Sequence, residues 1–185
     1  MSGIIAFGVS GSFVPVDSGT SWLADVAASD YSWTALTLSA LADAAGRQSA
    51  KADLGLVRPR EWDLFGCVDY TGETTMTSGE TVDYYWAASS SGTAGNSNLF
   101  ANSGSDAACP DGAIGSLTLA EFLDGCQFIG SLVISNDAAV QSQQVNKSGP
   151  WIPTSRFGQL IVVNNGGDAF EADDVEAHQV AIPRG

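Results

Sequence analysis

The chain is poor in the residue types on which most protein chemistry depends. It has one histidine, three cysteines and seven basic residues against 21 acidic ones. With His178 alone, neither a histidine-dependent triad nor a multi-histidine metal site can be assembled within one chain, and its place in a terminal alternating run reads as structural. No GxSxG elbow, Walker A loop, GxGxxG motif after a strand or HExxH helix occurs. An enzyme is therefore not expected, nor a cofactor or a metal. The shortage of basic residues leaves a formal charge of −14, which repels nucleic-acid phosphate and anionic membrane surfaces. No nucleic acid and no membrane is expected among its partners. Long apolar runs are missing too, since none approaches the roughly 18 residues that cross a bilayer. The opening MSGIIAFGVSGSFVPV lacks a basic n-region and its apolar residues are interrupted by Gly and Ser, so synthesis in a cytoplasm is expected. Cys67, Cys109 and Cys126 are odd in number and irregular in spacing, fitting neither a full disulfide framework nor a CxxC zinc knuckle. Buried free thiols are the expectation. Cys109 and Cys126 flank a short segment and could pair, which a reducing origin disfavours.

What is present favours strands. The composition is 44% hydrophobic and 15% charged with 21 glycines, and Ser and Thr are abundant, a balance suited to strands and turns. The length of 185 residues supports one domain with a real core. Residues 1–32 are rich in Gly, Ser and Ala and read as an extended N-terminal arm, packing along the domain or reaching a neighbouring subunit. Residues 33–185 read as the domain proper. Trp33–Leu41 and Gln48–Gly55 suggest a hairpin turning at DAAGR. Trp62–Tyr70 and the run from Thr81 to Trp86 suggest a second. In the first of these, Trp62, Leu64, Gly66 and Val68 share a face; in the other, Val82, Tyr84 and Trp86 oppose Thr81, Asp83 and Tyr85. SLTLAEFLDG is the one helical piece, with Ser116 as cap, Leu119, Phe122 and Leu123 on one face, and Gly125 as terminator. Phe128–Ser135 is a nearly continuous apolar run and reads as a central strand. AAVQSQQV, QLIVV and the closing EADDVEAHQVAIP add further strands, while KSGPWIPTSRFG reads as an extended connection at a sheet edge or interface. About eight strands result. The fold class expected is all-β: an antiparallel two-sheet β-sandwich, jelly-roll-like, with one short helix and an extended N-terminal segment.

Between the aromatic strand and that helix lies a Gly/Ser/Asn loop reaching Asp106, whose small hydroxyls and amides suit satisfying loop backbone or meeting a neighbouring surface. Tyr84, Tyr85, Trp86, Trp62 and Trp151 are numerous enough for a sugar-stacking platform, but alternation buries about half of them. Asp168, Glu171, Asp173, Asp174 and Glu176 form a solvated acidic turn or, less simply, a place for a hard cation. Asp106 and Asp111 carry the same ambiguity. The overall acidity either keeps a surface soluble or matches a basic partner.

Five segments carry a resemblance: LTLSALADAAGRQSAKADLG, TSGETVDYYWAASSSGTAGNSN, LAEFLDGCQFIGSLVISND, WIPTSRFGQLIVVNNGGDAF and HQVAIP. In order and composition they resemble a family of tailed-bacteriophage virion structural proteins, over residues 33–183. The resemblance implies a non-enzymatic β-sandwich present in many copies on a phage particle, a capsid decoration or cement protein that stabilises the head shell. It implies the major capsid protein, or copies of itself in a homo-oligomer, as partners. It further implies a place on the virion, outside the capsid and away from packaged DNA, after synthesis in the host bacterial cytoplasm. Phe7, Phe13, Trp22, Phe100 and Trp151 are the candidates for interface contacts. A tail or head-to-tail component and a carbohydrate- or receptor-binding module are the rival readings.

Overall fold

The computed structural model describes residues 12–16, 31–54, 61–68, 70, 77–112, 116–136, 144–170 and 178–184. Among them the chain is mostly strand, with one short α-helix. The strands in chain order are β1 (Ser12–Val16), β2 (Tyr31–Ala35), β3 (Ala45–Gln48), β4 (Ala52–Asp53), β5 (Glu61–Val68), β6 (Thr81–Ser89), β7 (Ala107–Cys109), β8 (Gln127–Val133), β9 (Gln144–Trp151), β10 (Phe157–Asn165) and β11 (His178–Arg184), with α1 (Leu119–Leu123) between β7 and β8. They form two sheets. The first runs β2-β1-β11-β5-β9 and the second β7-β3-β10-β6-β8, with β4 also on β10. Every pairing is antiparallel except β1 with β2.

Period-two patterning explains which faces are buried. Trp62, Leu64 and Val68 of β5 and Val82, Tyr84 and Trp86 of β6 are fully enclosed, and all join one core with Leu132, Trp151, Leu160 and Val162. That core takes side chains from both sheets. The indole of Trp86 lies 5.5 Å from that of Trp151, centroid to centroid, and supplies a large share of its apolar area. Gly158 makes room for it, because a Cβ there would stand 2.5 Å from the Trp86 ring.

β10 reads QLIVV without alternation because both of its faces are covered. Leu160 and Val162 enter the main core, whereas Ile161 and Val163 turn to a second cluster with Ala87, Cys109 and Phe122. The second cluster is roofed by the segment that carries α1. Leu119 and Leu123 pack there beside Phe122, as their helical spacing suggests. The helix starts at Thr118 rather than at Ser116. Thr118 Oγ1 accepts from the Glu121 backbone N–H at 3.3 Å, and the Glu121 carboxylate accepts from the Thr118 N–H at 2.8 Å. This reciprocal box satisfies two backbone donors that Ser116 could not reach. Bonds from the Thr118 N–H and from its hydroxyl hold the Glu121 carboxylate below its usual range.

Several pairings differ from the sequence expectation, and the reason is common to them. Alternation reports which side chains share a face, not which strand lies alongside. The two expected hairpins are not formed: β2 and β5 belong to the first sheet, β3, β4 and β6 to the second. The DAAGR segment, expected as a turn, is partly strand, since β3 begins at Ala45. Phe128–Ser135 is not central either. β8 is the end strand of the second sheet, and the apolar residues of this run serve two surfaces, with Leu132, and Ile134 just past the strand, in the core and Phe128 pointing outward. A register shift between Tyr84 and Tyr85 of β6 accompanies that change. Within the expected N-terminal arm, Ser12–Val16 is β1, laid between β2 and β11; residues 1–11 and 17–30 lie outside the described residues.

Candidate interaction surface

The loop that follows β6 is held by a cation supplied from elsewhere in the chain. Lys51, just ahead of β4, donates through Nζ to Ser89 Oγ at 3.0 Å, to Thr93 O at 2.7 Å and to Asn96 O at 2.7 Å. Its three protons thereby meet three oxygens, two of them main-chain carbonyls that curl around it. Burial draws the Lys51 pKa below the usual lysine value. Ser89 Oγ bonds onward to Ser97 O at 3.0 Å. Asn98 then ties the loop to its own exit, donating to Ala94 O at 2.5 Å and to Asn102 O at 2.6 Å. At Gly104 the backbone takes φ +74°, and a Cβ would strike the Ala94 carbonyl oxygen. Glycine alone fits both conditions.

A second set of bonds fixes the loop's descent onto the sheet. Gln48 of β3 and Asn102 are both fully buried, and Asn102 Nδ2 donates to Gln48 Oε1 at 2.5 Å. Gln48 Nε2 donates to Ser105 O at 3.1 Å. Ser103 donates through its N–H to Asp111 Oδ1 at 3.0 Å, and its hydroxyl bonds to the same carboxylate. Asp106 accepts from Arg47 Nε at 2.7 Å and from Thr37 Oγ1 at 2.6 Å. Burial acts to raise the Asp106 pKa, but the bonds from Arg47 and Thr37 outweigh it and hold the carboxyl below its usual range. Ser89, Asn98, Asn102 and Ser103 thus engage the loop's own backbone, Gln48 and Asp111, and hold the loop in a defined conformation.

The five contact candidates fall in different places. Phe7 and Trp22 lie outside the described residues. Phe13 is in β1, where its backbone is paired with Ser32. Phe100 is half-buried at φ 48°, its ring 5.9 Å from Phe122 in an edge-on contact, so it anchors the loop to α1. Trp151, expected in an extended connection at a sheet edge or interface, closes the end strand β9 as a core residue, 4% exposed and cross-strand to Trp62, with its indole turned inward. Tyr84, Trp86 and Trp62 are likewise enclosed, which leaves Tyr85 half-buried against Phe128. Cys109 and Cys126 are free. Burial pushes the Cys109 thiol well above its ordinary value and that of Cys126 up to about 12, so both remain protonated near neutral pH. The side chain of Cys67, and residues 171–177 of the acidic turn, are outside the described residues. No group of three or more metal-ligating side chains occurs among the described residues, and no helix among them is long and apolar enough to cross a membrane.

Sequence reasoning missed the exposed apolar residues. Among the described residues the large hydrophobic side chains left open are Phe128 at 54%, Val133 at 59% and Ile152 at 47%. Phe128 and Val133 stand at opposite ends of β8, across from Tyr85 and Thr81 of β6. Ile152 follows β9, and Gln127 links it to β8 by donating through Nε2 to Ile152 O at 2.8 Å. The signal available beforehand was the length of the FIGSLVIS run, which exceeds what one buried face requires. No protein-family model, curated protein or solved structure matches the chain.

Proposed function

We propose that this protein is a non-enzymatic structural subunit of a tailed-bacteriophage particle, a capsid decoration or cement protein that binds the outside of the head shell. Its finer architecture in this reading is a two-sheet β-sandwich of jelly-roll type. Two features support that architecture: the core draws on both sheets, and successive strands from β8 to β11 alternate between them. The observation that carries the functional reading is the loop from Ser89 to Asp111, locked internally by Lys51, Gln48 and Asn102. A cement subunit acts through many copies of a modest contact, and each contact gains when its loops are ordered before binding. The charge of −14 suits a face turned away from packaged DNA. Enclosure of Trp62, Trp86 and Trp151 favours this reading over a sugar-binding module, which would present such rings to solvent.

The partners are the major capsid protein and copies of the chain itself, and the site of action is the virion exterior after synthesis in the bacterial cytoplasm. Purified protein mixed with expanded or mature capsids of its phage is expected to co-sediment with them, to raise their temperature of disruption, and to leave free duplex DNA unbound. Capsids that neither bind it nor gain stability would contradict the cement role. Glycan binding by the folded wild-type protein, with no binding to capsids, would favour the carbohydrate-binding alternative.

A further inference from the structure

A cavity of about 150 Å³ opens where the loop after β6 descends to the helix, lined by Phe100, Asn102, Pro110, Gly112, Ser116 and Leu117. Two oxygens converge on it. A Cβ at residue 112 would stand 2.5 Å from the Phe100 carbonyl oxygen and 3.1 Å from Asn102 Oδ1, so a residue without a side chain is what leaves both uncovered. Phe100 and Ala101 shape this wall in the left-handed region, at φ 48° and 57°, which non-glycine residues adopt at a cost. Asn102 is fully buried and its donors point elsewhere, the N–H to Leu99 O at 3.1 Å and Nδ2 to Gln48 Oε1 at 2.5 Å. Its Oδ1 accepts from the Asp111 N–H at 3.3 Å, which uses one of two lone pairs. Ser116, exposed at the rim, adds a hydroxyl. The charge of these segments has one sign: residues 98–126 carry every lining residue and include Asp106, Asp111, Glu121 and Asp124 but no Lys or Arg. The cations that reach the loop from other segments are engaged, Arg47 with Asp106 at 2.7 Å and Lys51 with Ser89, Thr93 and Asn96.

We propose that this cavity receives the cationic end of an arginine or lysine side chain of a partner protein, its N–H donors directed at Phe100 O, Asn102 Oδ1 and Ser116 Oγ. Size, polarity and charge select that occupant. The volume lies below the roughly 300 Å³ at which pockets for whole small molecules begin, and it suits the end of one side chain. An anion would meet oxygens and carboxylates of its own sign, and an apolar group would leave the two oxygens without donors. A cation with several N–H groups avoids both penalties. A chain of formal charge −14 also draws a basic surface towards it before contact. The inference deepens the proposed function by naming the chemistry of its contact, and it rests on that reading for the protein that supplies the side chain.

The test is a titration of the full isotope-labelled chain with methylguanidinium chloride, followed by its amide NMR shifts, with N-methylurea as the neutral control and potassium chloride as the simple-cation control. Amides of Gly112, Ser116 and Leu117 are expected to shift saturably with methylguanidinium, with a Kd on the order of 10 mM, and with neither control. Ser116→Lys changes an exposed position, so the variant is expected to melt close to the wild-type temperature. By placing its own ammonium at the rim it is expected to weaken methylguanidinium binding at least about tenfold, and capsid binding in co-sedimentation by a similar factor. Absence of a saturable shift below ~100 mM overturns the proposal. So does an equal response to N-methylurea or potassium, or one unchanged in Ser116→Lys. Capsids that hold wild type and variant equally well overturn the assignment of the occupant to a partner's side chain. Capsids that bind neither, beside a cavity that fills with methylguanidinium, sink the cement role and leave the cation site standing.

Discussion

Trp86→Ala is expected to lower the stability of the folded chain by about 3–5 kcal/mol, the cost of an unrelieved cavity left by a large buried ring. The residue is fully enclosed and meets Trp151 at 5.5 Å. Its indole N–H donates to Ser155 Oγ at 3.3 Å, so the truncation also removes that bond. Collapse around the gap is limited because the neighbours come from two different sheets. Trp151 belongs to the first, and Leu160, cross-strand from Trp86, to the second. Gly158 has no side chain with which to fill the space. The check is chemical denaturation followed by far-UV circular dichroism, and a loss below about 1 kcal/mol would mean that the core is not closed at this point.

Lys51→Met is expected to loosen the Ser89–Asn98 loop while leaving the sheets in place. Methionine keeps most of the length of the side chain but offers no donor to Ser89 Oγ, Thr93 O or Asn96 O. Bonds from a charged donor are individually worth about 1.5–3 kcal/mol when enclosed. Here two of the acceptors sit on exposed residues that water can reach, so the global cost is expected at about 1–3 kcal/mol. The larger consequence is local. Limited proteolysis should cut between Ser90 and Asn98 at least about tenfold faster than in the wild type, because loop opening no longer breaks a charged network. Capsid binding, on the proposed function, should weaken in parallel as the ordering cost moves into the binding step. An equally protected loop would show that the lysine decorates the fold and does not organise it.

The two halves of that comparison mark what the sequence discloses. Trp62, Leu64 and Val68, like Val82, Tyr84 and Trp86, are assigned to a buried face by alternation alone, and the structure encloses all six. Thr118 and Glu121 carry the capping-box spacing in plain view, although Ser116 competes for the same role on residue type. Strand partnership is a different matter. Gln48 pairs with Ile161, 113 positions away, and no local pattern encodes a partner at that distance. Lys51 illustrates the same limit at the candidate surface: within its own segment it is one polar residue among alternating ones, and its task appears only when the loop after β6 is folded back onto it. The inward turn of Trp151 is hidden for a related reason. Pro150 and Pro153 fit an extended connection at a sheet edge or interface, and the cross-strand neighbour beside which this indole turns inward is Trp62, far back in the chain. The exposed positions of Phe128 and Val133 needed the location of β8 at a sheet end, which a run of β-forming residues does not reveal.

As a structural subunit on the outside of a phage head, the role proposed for it, this chain should be visible in a density map of the intact virion. β-rich density of this shape is expected in many copies on the outer surface of the capsid, with the Ser89–Asp111 loop or its surroundings against neighbouring subunits. Density for the chain within the tail, or a virion in which the chain is absent, would contradict that role.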